Sequence, residues 1–168
     1  MIYVCPLSHL HATVEKSGAR HVVTVMGKLD RVTRPPSVLP DNHLQIAMDD
    51  IVAPAEGFAA PRSEQVGRII DFVLRWDRAT PMVIHCFAGI SRSTASAFVA
   101  ACALSPHRSE IEIARRMREA SPTAAPNRLI VELADDLLGR DGRMLEALAA
   151  MHPSALAIEG DPFRIAID

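Results

Sequence analysis

Met82-Val83-Ile84-His85-Cys86-Phe87-Ala88-Gly89-Ile90-Ser91-Arg92-Ser93 is the stretch from which the rest of the chain can be read. Met82–His85 is a short apolar run behind Pro81, and its length and flanks predict a buried strand. From Ser91 to Leu104 the residues are small, apolar and rich in alanine, ending before Pro106, which predicts a tightly packed helix. A loop of this length at a helix N-terminus can point successive N–H groups into one bowl. Gly89 permits backbone geometry that a side chain would obstruct. The helix dipole and Arg92 add positive potential to the bowl, and the same field favours a thiolate at Cys86. Arg92 offers a planar fork for two oxygens of an anion such as phosphate. Ser93 can donate a hydroxyl hydrogen bond to the sulfur. A lone cysteine would read as a buried small hydrophobe. Here strand, His-Cys, five-residue spacer, glycine, Arg-Ser and helix coincide, and the coincidence favours chemistry.

Outward from this stretch, strands and helices alternate. Ile2–Cys5 is a short β-like run, and Ser8–Ser17 reads as a helix with Ser8 as N-cap and Gly18 as its stop. Arg20–Met26 is β-branched and lies between Gly18 and Gly27, as a strand should. Lys28–Asp41 holds three prolines and must be loop. Leu44, Ile46 and Met48 alternate with polar or small residues, predicting a third strand before the loop Ala53–Pro61. Arg62–Arg78 repeats apolar residues at helical spacing. Ser109–Ala120 has an acidic start and later basic residues, which suits a helix dipole. Pro126–Leu138 is a further helix with Gly139 behind it. The tail 143–168 is unassigned except for a helical pattern over Met144–Met151. Strands separated by helices predict one α/β domain over residues 1–168 with a central, mostly parallel sheet.

The chain has 168 residues, 49% hydrophobic and 23% charged, which fits one domain and excludes disorder as its main state. Eighteen basic against twenty acidic side chains give a formal charge of −2, so no bulk attraction to nucleic acid or anionic membranes is expected. Three cysteines without a C-x-x-C pair exclude a disulfide scaffold and a four-ligand zinc site. The N-terminus lacks a basic n-region, and no apolar stretch approaches the roughly 20 residues that span a bilayer. The expectation is a monomer in the reducing cytoplasm with free thiols.

His85 to Ser93, H-C-x-x-G-x-S-R-S, resembles the signature of cysteine-dependent protein tyrosine phosphatases, and the length and element order resemble their compact dual-specificity branch or its small bacterial relatives. Pro122–Asn127 before a helix is similar to a Pro-Asn segment of that branch. The likeness spans about residues 20–138 and leaves the tail uncovered. It implies a four- to five-stranded sheet flanked by helices and a two-step reaction through a phosphocysteine, with no cofactor and no metal. Carried over by position, Cys86 is the nucleophile. Phe87, Ala88, Gly89, Ile90, Ser91 and Arg92 hold the phosphate. Ser93 eases departure of the thiolate, and His85 tunes the cysteine from behind. The implied partner is a phosphorylated protein or peptide, phosphotyrosine first, with inorganic phosphate or sulfate able to occupy the loop.

Such a reaction needs a general acid, because the leaving oxygen must take a proton. Asp49 and Asp50 stand at a strand-to-loop junction upstream of Cys86. Asp50 is preferred: Asp49 keeps the strand phase of Gln45 and Ala47, and Asp-Ile-Val after a strand end resembles small bacterial members. Asp30 and Asp41 are weaker candidates, and paired aspartates also cap turns. His9, His11, His21 and His43 have no metal spacing. Arg115, Arg116 and Arg118 read as a solvated helix face. Rival readings are a rhodanese-type sulfurtransferase, whose loop is typically one residue shorter, and an inositol or lipid phosphatase. Those lipid enzymes carry added charge in the loop, which Phe87, Ala88, Ile90 and Ser91 lack. A non-catalytic phosphoprotein-binding module ranks last, since Cys, Arg and acid are all present.

Overall fold

Ile2, Val4, Val23, Val25, Ile46, Met82 and Ile84 turn to one side of a five-stranded sheet, and Cys5, Val22 and Val83 to the other. This is the alternation that a pleated strand imposes on successive side chains. The computed structural model describes residues 1–167. Its elements are β1 (Ile2–Pro6), α1 (Leu10–Ser17), β2 (His21–Met26), β3 (His43–Ala47), α2 (Ser63–Arg75), β4 (Met82–Cys86), α3 (Arg92–Leu104), α4 (Glu110–Ala120), α5 (Arg128–Leu138), α6 (Arg143–Ala150) and β5 (Phe163–Ile165). The sheet order is β3-β2-β4-β1-β5. The first four strands in this order are parallel, and β5 runs antiparallel to β1. The C-terminal ends of the parallel strands therefore share one edge, where open α/β sheets place their ligand sites. Cys86, the last residue of the central strand β4, stands at that edge.

The two sheet faces are covered unequally. The first face packs under α2 to α6 in the main core, centred on Phe98 of α3. The second carries α1 and part of the long loop before β3, through Leu10, Val14 and Val38. α3 is buried over its whole circumference from Ser93 to Cys102, so it shows little amphipathic pattern and consists of residues small enough for close approach.

Several local expectations are corrected. Ser8 does not cap α1: Leu7–His9 forms a short 3-10 turn, and the Ser8 hydroxyl donates 2.9 Å to Glu159 instead. The helix over 62–78 ends at Arg75, and Trp76 turns into the core with its indole N–H on the Thr80 carbonyl at 3.0 Å. The tail holds α6, where the pattern over Met144–Met151 predicts a helix, and the edge strand β5, which the sequence pattern did not reveal. Asp135 is buried and caps α6, accepting from the Gly142 and Met144 amides at 2.6 and 2.9 Å. Arg118 is not a solvated charge. Its guanidinium donates to the carbonyls of Ser121, Pro122, Ala124 and Met151, tying the α4–α5 connection to the end of α6. Among the described residues, no helix is long and apolar enough to cross a membrane.

Phe98 is fully buried and is the largest such side chain in the core. Phe98→Ala is expected to cost about 3–5 kcal/mol, through lost transfer energy and the cavity left behind. Urea unfolding measures this directly; a loss under about 1 kcal/mol would show that the helices close over the gap.

Candidate active site

β4 delivers Cys86 and α3 begins at Arg92, so residues 87–91 form the whole connection between them. Gly89 has φ of +72°, and a Cβ there would stand 2.7 Å from the Pro6 nitrogen and 2.9 Å from the Cys5 carbonyl carbon. Only glycine fits both the conformation and the close approach to the end of β1. The loop carbonyls are held from outside by backbone amides of distant segments. Phe87 accepts from Leu7 at 3.1 Å, Ala88 from Gly160 at 2.8 Å, Ile90 from Ala125 at 3.0 Å and Ser91 from Asn127 at 3.3 Å. Thr94 also donates its hydroxyl to the Ile90 and Ser91 carbonyls. In a trans peptide the N–H points opposite to the C=O. Anchoring these carbonyls outward therefore directs the N–H groups of Ala88, Gly89, Ser91 and Arg92 to the other side. The unpaired amides of the first turn of α3 add to them.

Cys86 is buried, 1% exposed, with its sulfur 3.1 Å from the Ser93 hydroxyl. One terminal nitrogen of Arg92 donates 3.0 Å to the Met48 carbonyl, fixing the guanidinium against the end of β3. Its Nε is buried without a hydrogen-bond partner and lies 3.8 Å from an Asp50 carboxylate oxygen. The other Asp50 oxygen accepts from the Ser91 hydroxyl at 2.7 Å and from the Asn127 amide at 2.8 Å. Asp50, Ser91, Arg92 and Cys86 thus come together at one end of the sheet.

The neighbouring acids are placed differently. Asp49 takes the Ala59 amide on its carboxylate at 2.8 Å and gives its own amide to the Ala59 carbonyl at 2.7 Å. It staples the loop that presents Asp50, and it packs over Gly27, where a Cβ would fall 2.3 Å from its oxygen. Asp30 and Asp41 sit in the short turns Leu29–Arg31 and Pro40–Asn42, the latter at the N-terminal end of β3, away from the edge that holds Cys86. A groove of about 890 Å³ opens beside Asp50 and Ser91, walled by Ile51, Val52, Leu145 and Leu148, with Arg128 and His152 also lining it.

Behind Cys86, His85 is fully buried with Nδ1 3.4 Å from the Cys86 carbonyl oxygen and Nε2 2.7 Å from the Thr24 hydroxyl. Burial pushes this imidazole down to about 4, assisted by the nearby His43 and His11 and opposed by the carbonyl contact. His43, 2.8 Å from the same hydroxyl, is also pushed to about 4 by burial and by Arg34. Burial pushes the thiols of Cys5 and Cys102 up to about 12, which leaves them protonated and unreactive at neutral pH.

No protein-family model matches the chain, and no curated protein matches it in sequence. Solved structures do match. Cydia pomonella PTP-2 phosphatase superposes with a TM-score of 0.63 at 15% identity, over 80% of this chain and 84% of that one. DUSP15 gives 0.63 at 14% over 89% of each chain. The human tyrosine phosphatase-like serine/threonine/tyrosine-interacting protein gives 0.64 at 14%, over 83% of this chain and 92% of that one. The fold is that of the cysteine-based protein tyrosine phosphatases. At these identities it is the architecture that is shared, including a central sheet of five strands flanked by six helices.

Within this phosphatase fold, sequence reasoning missed four contributors. Gly160 and Arg118 act on the loop from a distance, the first by its amide and the second by holding the segment that carries Ala125 and Asn127. Thr24 and His43 extend from His85. None sits in a local pattern that would single it out.

The neutral buried histidines make stability depend on pH. An unfolded histidine takes up a proton near 6.5, whereas folded His85 does so only near 4. The unfolded chain therefore binds more protons across this window, and stability falls as pH is lowered from 6.5 towards 4. For His85 the full slope is about 1.4 kcal/mol per pH unit, with a smaller share from the partly exposed His43. Urea unfolding between pH 7 and pH 5 should show this loss, and His85→Asn should flatten it. A flat wild-type profile would mean that His85 is not held neutral.

Proposed function

We propose that the chain is a phosphoprotein phosphatase that works through a phosphocysteine, with phosphotyrosine as its preferred substrate. The observation that carries this reading is the convergence of Asp50, docked on Ser91, Asn127 and Arg92, upon a loop with Cys86 at its floor. The inward amides, the N-terminus of α3 and the Arg92 guanidinium, whose Nε has no hydrogen-bond partner, form a positive receptor for a tetrahedral dianion. The Cys86 thiolate attacks phosphorus along the line of the departing oxygen. The P–O bond breaks, its electron pair stays on that oxygen, and the Asp50 proton neutralises it. In the second half a water gives its proton to Asp50 and its oxygen to phosphorus. The P–S bond breaks and its pair returns to sulfur, where the Ser93 hydroxyl stabilises the thiolate. Phosphate and the starting enzyme result.

The recessed sulfur favours a long aryl ester over the shorter phosphoserine or phosphothreonine. The apolar groove beside Asp50 suits peptide residues flanking the phosphate. Uncharged side chains at Phe87, Ala88, Ile90 and Ser91 favour a single phosphate over a multiply charged inositol or lipid headgroup. Arg92 and the helix N-terminus supply the positive charge that a metal would supply elsewhere. A nucleophilic thiol of this kind suits a reducing compartment, and the enzyme is proposed to act there as a monomer.

Cys86→Ser should abolish hydrolysis of phosphotyrosine peptides, since a hydroxyl at neutral pH is no substitute for a thiolate. Asp50→Asn should lower turnover by roughly 10²–10⁴-fold and remove the alkaline limb of the pH–rate profile. The loss should be smaller with a nitrophenyl ester, whose leaving group needs little protonation. EDTA should leave the rate unchanged. Activity retained in Cys86→Ser, or an intact profile in Asp50→Asn, would overturn the corresponding role.

A further inference from the structure

We propose that His43 is a positioning residue for Cys86, acting through a directional hydrogen-bond chain that runs from His43 through Thr24 and His85 to the Cys86 carbonyl. This rests on the reading of Cys86 as the nucleophile. The three distances are 2.8 Å from His43 Nε2 to Thr24 Oγ1, 2.7 Å from Thr24 Oγ1 to His85 Nε2 and 3.4 Å from His85 Nδ1 to the Cys86 oxygen. All three side chains project from the α1-covered face of the sheet, from the adjacent strands β3, β2 and β4.

The chemistry of the groups orders the chain. A carbonyl oxygen can only accept, so His85 Nδ1 carries the hydrogen. A neutral imidazole has one N–H, which leaves His85 Nε2 as an acceptor. It takes the single hydroxyl hydrogen of Thr24. The Thr24 oxygen can then only accept at its remaining site, so His43 Nε2 must be the donor. The reverse order would set a bare His85 nitrogen against a carbonyl, which is repulsive. Two tautomers and one hydroxyl rotor are thus determined together, and each bond in such a chain polarises the next.

The surroundings keep both rings neutral. Arg34, on the loop before β3, and His11, on α1, oppose a further positive charge. Arg68 of α2 and Gln45 of β3 line the same shallow surface cavity as His43. The end of the chain matters because the Cys86 carbonyl is the first of the loop. Its neighbours are held by backbone amides, whereas here the donor is a side chain whose orientation depends on Thr24 and His43. Holding this carbonyl outward directs the Phe87 N–H to the inner side and draws electron density away from the residue that bears the sulfur.

The test is alkylation of Cys86 by iodoacetamide in the intact chain, followed across pH by mass spectrometry. Losing one link of a hydrogen-bond chain is expected to move the midpoint upward by about half a pH unit. His43→Ala and Thr24→Val should both show this shift. His43→Gln should reverse it, because the glutamine amide can donate from near the Nε2 position. Thr24→Ser should keep the wild-type midpoint. The acid limb of kcat/KM for an aryl phosphate should move with the alkylation midpoint while the alkaline limb stays in place. Unchanged alkylation in His43→Ala, or failure of His43→Gln to restore it, overturns the proposal. Should His43→Ala not fold, identical profiles for Thr24→Val and Thr24→Ser overturn it equally. A shift in alkylation without hydrolysis of any phosphate ester supports the chain and defeats the phosphatase reading. Hydrolysis abolished by Cys86→Ser with no shift in His43→Ala does the reverse.

Discussion

A backbone that turns its amides towards one point must find donors for the carbonyls it turns away, and in this fold those donors come from almost everywhere else. Leu7 follows β1, Ala125 and Asn127 lie between α4 and α5, and Gly160 belongs to the tail. Their placement accounts for much of the architecture. β1 lies beside β4, so the chain leaving it passes under Phe87. β5 returns along β1 and draws residues 159–161 across Ala88 on its way. Arg118 gathers carbonyls from the α4–α5 connection and from the end of α6, and so holds the segment that anchors Ile90 and Ser91. A buried peptide group left without a partner would cost about 1–3 kcal/mol, so the loop conformation stands only while these distant parts are folded.

This dependence explains what could be read from the sequence and what could not. The strand–Cys–loop–helix unit is contiguous, and each of its residues has a local chemical reason, so Cys86, Gly89, Arg92 and Ser93 were legible together. The parallel sheet followed from the alternation of short strands with helices. β5 did not: three residues carry little periodic signal, and their pairing with β1 is decided by a contact across the whole chain. Gly160 looks like any turn glycine until the Ala88 carbonyl stands opposite it. Arg118 reads as a surface charge because its acceptors are backbone oxygens, which leave no mark in the sequence. His43 has no metal spacing to mark it, and its partner is a threonine on the neighbouring strand.

The two adjacent aspartates show the same limit at closer range. Strand parity separates Asp49 from Asp50, but it does not say which one the loop uses to close itself. Asp49 answers to Ala59 and to the space over Gly27. Bound in this way it cannot also face the loop, and Asp50 is left to meet Ser91 and Asn127. A structural role for one acid is what orients the other.

The position of Asp50 also bears on how substrate and acid can be coupled. Its carboxylate rests beside Arg92, the group that the proposed mechanism assigns to phosphate. In the proposed mechanism a phosphate dianion entering the loop would add two negative charges beside this carboxylate, whose side chain is 38% exposed and so partly screened by solvent. Like charges so placed repel, though solvent weakens the effect at an exposed carboxylate. A swing of Asp50 out on its loop would be the first response to such repulsion. Asp49 staples that loop at Ala59, and Ser91 and Asn127 hold the carboxyl in place, which opposes the first response. Under that mechanism the same contacts keep the Asp50 carboxyl beside the leaving oxygen while phosphate is bound.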